Sequence, residues 1–136
     1  MNKVRIAVID LYNNEPNRDI GYIQNILKHS NSLYNNVPID YKIYNTRYSG
    51  IMPDSGYDIY ISSGGPGSPW DGAGSNWEAK YFSLLDSIWS YNQNNSSKKY
   101  FFFICHSFQL MVRYFKLGEV TKRNSESFMM LKNKHI

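Results

Sequence analysis

Tyr100-Phe101-Phe102-Phe103-Ile104-Cys105-His106-Ser107-Phe108-Gln109 decides the fold of this 136-residue chain. Its first half is a solid apolar run that ends at the only cysteine. An uninterrupted run of this kind reads as a fully buried, central strand. From Phe108 the apolar spacing turns helical, through Met111, Val112 and Phe115, with Gly118 as the stop. A sharp turn from strand to helix sets its apex residue at the carboxyl end of a sheet, side chain exposed. That is the geometry of a nucleophile elbow. The unpaired N–H groups that open the helix carry partial positive charge and favour a thiolate at Cys105.

Working outward, Lys3 to Leu11 reads as a first buried strand, followed by the polar turn Tyr12 to Asn17. Ile20, Ile23, Ile26 and Leu27 then keep helical spacing to about Ser30. Ile39 to Tyr44 alternates as a second strand, and Asn45 to Ser55 is a connector. Tyr57 to Ile61 is a third strand. It runs into Ser62-Ser63-Gly64-Gly65-Pro66-Gly67-Ser68-Pro69, a loop whose glycines and prolines demand unusual backbone angles. Asn76 to about Tyr91 is a helix, with the aromatic residues Trp77, Tyr81 and Trp89 expected in the core. Past Gly118 the pattern thins. Glu119-Val120-Thr121 would begin another strand, and Phe128 to Leu131 is a short apolar run.

Strands alternating with helices predict an α/β fold: a doubly wound, mainly parallel sheet with helices on both faces, over one domain. In such sheets ligands bind beyond the carboxyl ends of the strands. The Gly-Gly-Pro-Gly loop and Cys105 both end there. If Cys105 attacks an acyl carbon, the developing oxyanion needs fixed donors. The backbone amides of Gly65, Gly67 and His106 are placed to provide them. The His106 side chain is expected to point away from its neighbour Cys105, and His29 to sit on the surface.

Composition limits the alternatives. The chain is 42% hydrophobic and 16% aromatic, which makes it globular rather than disordered. Mean hydropathy is −0.51 and no apolar run reaches membrane-spanning length, so no membrane partner is expected. Net charge is +4, but Lys and Arg are scattered rather than striped, which argues against nucleic acid. One cysteine cannot form an internal disulfide, so a reducing cytoplasm is the default location. The three His and one Cys show no metal-ligand spacing, and no cofactor is implied.

Ser63-Gly64-Gly65-Pro66-Gly67-Ser68-Pro69 and Ile104-Cys105-His106-Ser107-Phe108-Gln109 resemble the oxyanion loop and nucleophile elbow of class I glutamine amidotransferases of the GMP-synthase type. Val8-Ile9-Asp10 resembles that family's opening strand, and the likeness covers nearly the whole chain in order. It implies hydrolysis of glutamine to glutamate and ammonia, with ammonia delivered to a synthetase partner. It implies Cys105 as nucleophile, Gly65 and His106 amides as oxyanion hole, and Gly64, Gly67 and Gln109 around the substrate. The family pattern is Gly-x-Cys-x-Gly-x-Gln, and here Phe103 and Ser107 stand at the two glycine positions. Phe103 is expected to narrow or reshape the pocket.

The family's catalytic His and carboxylate lie well downstream of the nucleophile, whereas this chain stops about thirty residues after Cys105. His135 is too close in sequence to fill that role. The expectation is a domain lacking its C-terminal part, weak or inactive alone, whose uncovered edge promotes homo-oligomers. Phe103 and Ser107 keep open a related cysteine acyltransferase or amidohydrolase, homoserine acyltransferase-like. The absent base keeps open an inactive binding module.

Overall fold

The computed structural model describes residues 3–33 and 37–122. Strands β1 (Val4–Ile9), β2 (Ile39–Tyr44), β3 (Ile59–Ser62) and β4 (Tyr100–Phe103) form one parallel sheet in the order β2-β1-β3-β4. Helices α1 (Asp19–Leu33), α2 (Thr46–Ser49), α3 (Asn76–Asn94) and α4 (His106–Phe115) complete the described elements. The register sets Val8 opposite Ile43 on one side and Ile61 on the other, and Ile61 opposite Phe102.

The two-residue period of β1 divides the core. Ile6 and Val8 pack with Ile23 and Leu27 of α1 on one face. Ala7 and Ile9 turn to the other face, with Tyr60, with Tyr81, Leu84, Leu85 and Ile88 of α3, and with Leu110 of α4. Each fully buried Leu or Ile contributes about 1.5–3 kcal/mol. An α/β sheet with helices on both faces is therefore what this chain builds. Helix starts follow local chemistry: Asn17 Oδ1 accepts from the Ile20 amide, and Ser75 Oγ caps α3 by accepting from the Glu78 amide.

The structure corrects several expectations. Among the described residues β4 is an edge strand, not a central one, and its residues alternate between exposed and half-buried. Phe101 and Phe103 face the α3 and α4 core. Tyr100 and Phe102 point to the opposite face, where α1 does not reach, and are 59% and 57% exposed. An apolar run alone carries no information about how many neighbours a strand has.

Residues 119–121 form no strand; instead the Val120 carbonyl accepts a hydrogen bond from Trp70 Nε1 at 2.7 Å. Helix α4 stops at Phe115, where Lys116 takes a left-handed conformation (φ 55°), ahead of Gly118. The 45–55 connector holds α2, closed by Gly50 at φ 69°. Tyr81 is buried and Trp77 packs against the core, but Trp89 is exposed. The apolar run 128–131 and His135 lie outside the described residues. No described helix is long and apolar enough to cross a membrane.

Candidate active site

All four strands end on the same side of the sheet, and each sends a segment to one place. Tyr12 follows β1, Arg47 follows β2, Gly64 to Gly67 follow β3, and Cys105 follows β4. Cys105 is exposed and carries φ 49° and ψ −105°. A non-glycine residue held there costs about 1–3 kcal/mol and persists only when its surroundings over-determine it.

Both sides of the turn supply that restraint. The Ile104 amide donates to the Ser62 carbonyl at 3.1 Å, and the Ser107 amide to the Ile104 carbonyl at 3.0 Å. Buried hydroxyls then form a directed chain. Tyr81 donates to Ser62 at 2.9 Å, Ser62 to Ser107 at 2.6 Å, and Ser107 to the carbonyl of Ser63. Ser107 thereby ties the strand-to-helix turn to the loop after β3. Every donor in the chain is satisfied, as a dry interior requires.

The glycine loop is held as tightly. Ser63 Oγ accepts from the Leu11 amide at 2.9 Å and donates to the Gly64 carbonyl at 2.7 Å. A Cβ on Gly65 would meet the Leu11 carbonyl at 2.6 Å, so only glycine lets these backbones approach. Gly67 sits at φ 77°, and its amide neighbour Ser68 donates to Asp71 Oδ2 at 2.8 Å. Two arginines pin the loop from either end. Arg47 Nη1 donates to the Pro66 carbonyl at 2.8 Å, and Arg113 Nη1 to the Pro69 carbonyl at 2.6 Å. Arg113 also makes a buried two-pronged pair with Glu78, at 2.9 and 3.2 Å, and lies 3.9 Å over the Trp70 ring.

Between elbow and loop is a cavity of about 960 Å³, lined by Gly65, Gly67, Cys105, His106 and Gln109, with residues 119–122 as a further wall. Gly64 lies buried beside Cys105. The structure thus brings the sequence-predicted residues to one place. The His106 amide opens α4 and has no backbone acceptor among the described residues. Its side chain is 2% exposed. Burial pushes the imidazole down to about 4, aided by the Arg47 and Arg113 charges and opposed by Asp71. It is neutral near pH 7.

Phe103 does not narrow this cavity. Its ring stacks on Phe101 with centroids 4.3 Å apart and lines an apolar groove with Ile88, Trp89 and Met111 on the α3 and α4 side. Strand alternation sends residue 103 to that face, away from the mouth of the site.

No family model matches the chain, and no curated protein or solved structure matches it. Among the described residues no three His, Cys, Asp or Glu side chains stand together as a metal site. Sequence reading missed Arg47, Arg113, Tyr12 and Asp19. They come from separate segments with no shared spacing, so no local pattern could have linked them.

Proposed function

We propose that Cys105 is the nucleophile of an amide-hydrolysing site of the class I glutamine amidotransferase type. The observation that carries this reading is the positive φ of Cys105 at a strand-to-helix junction, facing a loop whose Gly65 admits no side chain. Strain of this kind clusters at active sites, which supports this reading. In the proposed reaction Sγ attacks the glutamine side-chain carbonyl, and the oxyanion forms against the amides of Gly65 and His106. One such donor is typically worth about 2.7–4 kcal/mol in the transition state. Ammonia leaves, a γ-glutamyl thioester remains, and water releases glutamate. Gln109 and the Gly67 backbone border the substrate, and a synthetase partner would take the ammonia.

One observation favours a second reading. A cavity of about 960 Å³ is at the upper end of small-molecule pockets, which suits a bulkier acyl donor and a related cysteine acyltransferase. A chloroketone analogue of glutamine, with mass spectrometry and a glutamate-release assay, separates these readings. Labelling confined to Cys105 and abolished in Cys105→Ala supports the amidotransferase. Labelling by longer acyl electrophiles but not by the glutamine analogue supports the acyltransferase. A thiol that reacts only after denaturation sinks both.

A further inference from the structure

Three groups converge on the α-carbon of Gly64. A Cβ built there would lie 3.1 Å from the Tyr12 hydroxyl, 3.2 Å from Asp19 Oδ2 and 3.6 Å from Cys105 Cβ. With no side chain at Gly64, the Tyr12 hydroxyl, Asp19 Oδ2 and Cys105 Cβ all border the same small space. The Tyr12 hydroxyl donates to Asp19 Oδ2. Asp19 stands in the first turn of α1, so two different segments deliver the pair.

A cysteine nucleophile needs a proton acceptor and a leaving amine needs a donor. The described histidines are poorly placed for both tasks. His106 is buried beside Arg47, Arg113 and Asp71. His29 lies further along α1, about 15 Å from Asp19 at 1.5 Å per residue.

We infer that Tyr12 and Asp19 form the proton relay of Cys105, an inference that rests on the amide-hydrolysing reading of the site. In acylation the S–H bond breaks and its proton goes to the Tyr12 oxygen, while the original hydroxyl proton passes to Asp19 Oδ2. The sulfur lone pair forms the S–C bond, and the carbonyl π pair moves onto oxygen. On collapse the C–N bond breaks. The leaving nitrogen takes the Tyr12 hydroxyl proton, and Asp19 returns its proton to Tyr12. The thiol proton ends in ammonia and both relay residues are restored. Burial, then the hydrogen bond to Asp19, pushes the Tyr12 hydroxyl well above its ordinary value. It therefore works as a neutral conduit, with Asp19 as the store.

Three readouts on the 136-residue chain test the relay: turnover of γ-glutamyl p-nitroanilide, cleavage of p-nitrophenyl acetate, and iodoacetamide labelling of Cys105. The anilide needs a proton on its leaving nitrogen, the phenolate leaves without one, and alkylation of a thiolate needs no relay. Tyr12→Phe and Asp19→Asn should each lower kcat on the anilide by about 10²-fold or more, with KM nearly unchanged. Ester cleavage should fall less, and labelling should stay close to wild type. Asp19→Glu should recover part of the anilide rate. Unchanged anilide turnover in the variants would overturn the relay, as would equal losses in all three readouts, which indicate a structural role. Wild-type labelling without any anilide turnover would also overturn it, leaving the nucleophile standing. No labelling of Cys105 in the folded wild type overturns the nucleophile, and the relay with it.

Discussion

The hydroxyl of Ser107, in the first turn of α4, lies 2.6 Å from that of Ser62 at the end of β3. This single bond joins the elbow strand to the loop strand beneath the site. It belongs to a chain in which Tyr81 feeds Ser62 and Ser107 feeds the Ser63 carbonyl. Such a chain holds the φ of Cys105 in place because none of its members can turn without orphaning another.

Ser107→Gly is therefore expected to destabilise this protein. Loss of a buried hydrogen-bonding partner costs about 1–3 kcal/mol, and glycine in a helix adds up to about 1 kcal/mol. Urea melts should show a lower midpoint with an unchanged slope. Tyr81→Phe should have a smaller effect of the same sign, since it removes only the outermost donor.

Gly65→Ala probes the loop. The added Cβ would sit 2.6 Å from the Leu11 carbonyl, a backbone atom that cannot swing aside. The loop must shift, and the Gly65 amide shifts with it. We expect labelling of Cys105 by the chloroketone analogue to slow by at least about tenfold, the rate equivalent of 1.4 kcal/mol. Iodoacetamide, which needs no oxyanion hole, should react at nearly the wild-type rate.

Arg113 and Glu78 form a buried pair whose side chains are 9% and 6% exposed. Removing one partner leaves an uncompensated charge, typically about 3–5 kcal/mol of destabilisation. Arg113→Met should therefore cost far more than the double variant Arg113→Met with Glu78→Leu. In the double variant the Pro69 carbonyl still loses its donor, so chloroketone labelling should remain slow even where the melt recovers.

His106 makes stability depend on pH. Its folded value is held near 4 by burial and the two arginines, below the ordinary value of about 6.5 for an unfolded histidine. As pH falls through 6.5 the unfolded chain takes up this proton first, and stability declines until about pH 4. The shift corresponds to as much as about 3 kcal/mol across that window. Urea melts between pH 7.5 and 4.5 should show the decline, and His106→Gln should flatten it.

On β4, Tyr100 and Phe102 leave an exposed aromatic face beside a strand edge that pairs with no other strand among the described residues. Such edges favour association. Light scattering at increasing concentration should show self-association, and Phe102→Lys should reduce it. A wild-type monomer at every concentration tested would remove this expectation.

Some of this was readable along the chain. The apolar run into Cys105, the glycine loop and the alternation of strands with helices are each local. A parallel sheet then carries their ends to one side whatever the details. The order of the strands is a different kind of fact. Phe101, Phe102 and Phe103 are alike as residues. Only the packing of α3 and α4 on one face of β4, an edge strand among the described strands, buries 101 and 103 partly and leaves 102 exposed on the other.

The same holds for the surroundings of Cys105. That Phe103 avoids the cavity follows from which face its Cβ takes. That Tyr12, Asp19 and Cys105 meet at Gly64 follows from β1 and β4 flanking β3 and from α1 starting beside them. Sequence alone determined the residue types and the local turns, because those depend on near neighbours. Only the tertiary structure decided which turns face each other, because distant segments meet through burial and hydrogen bonding that no stretch of chain encodes by itself.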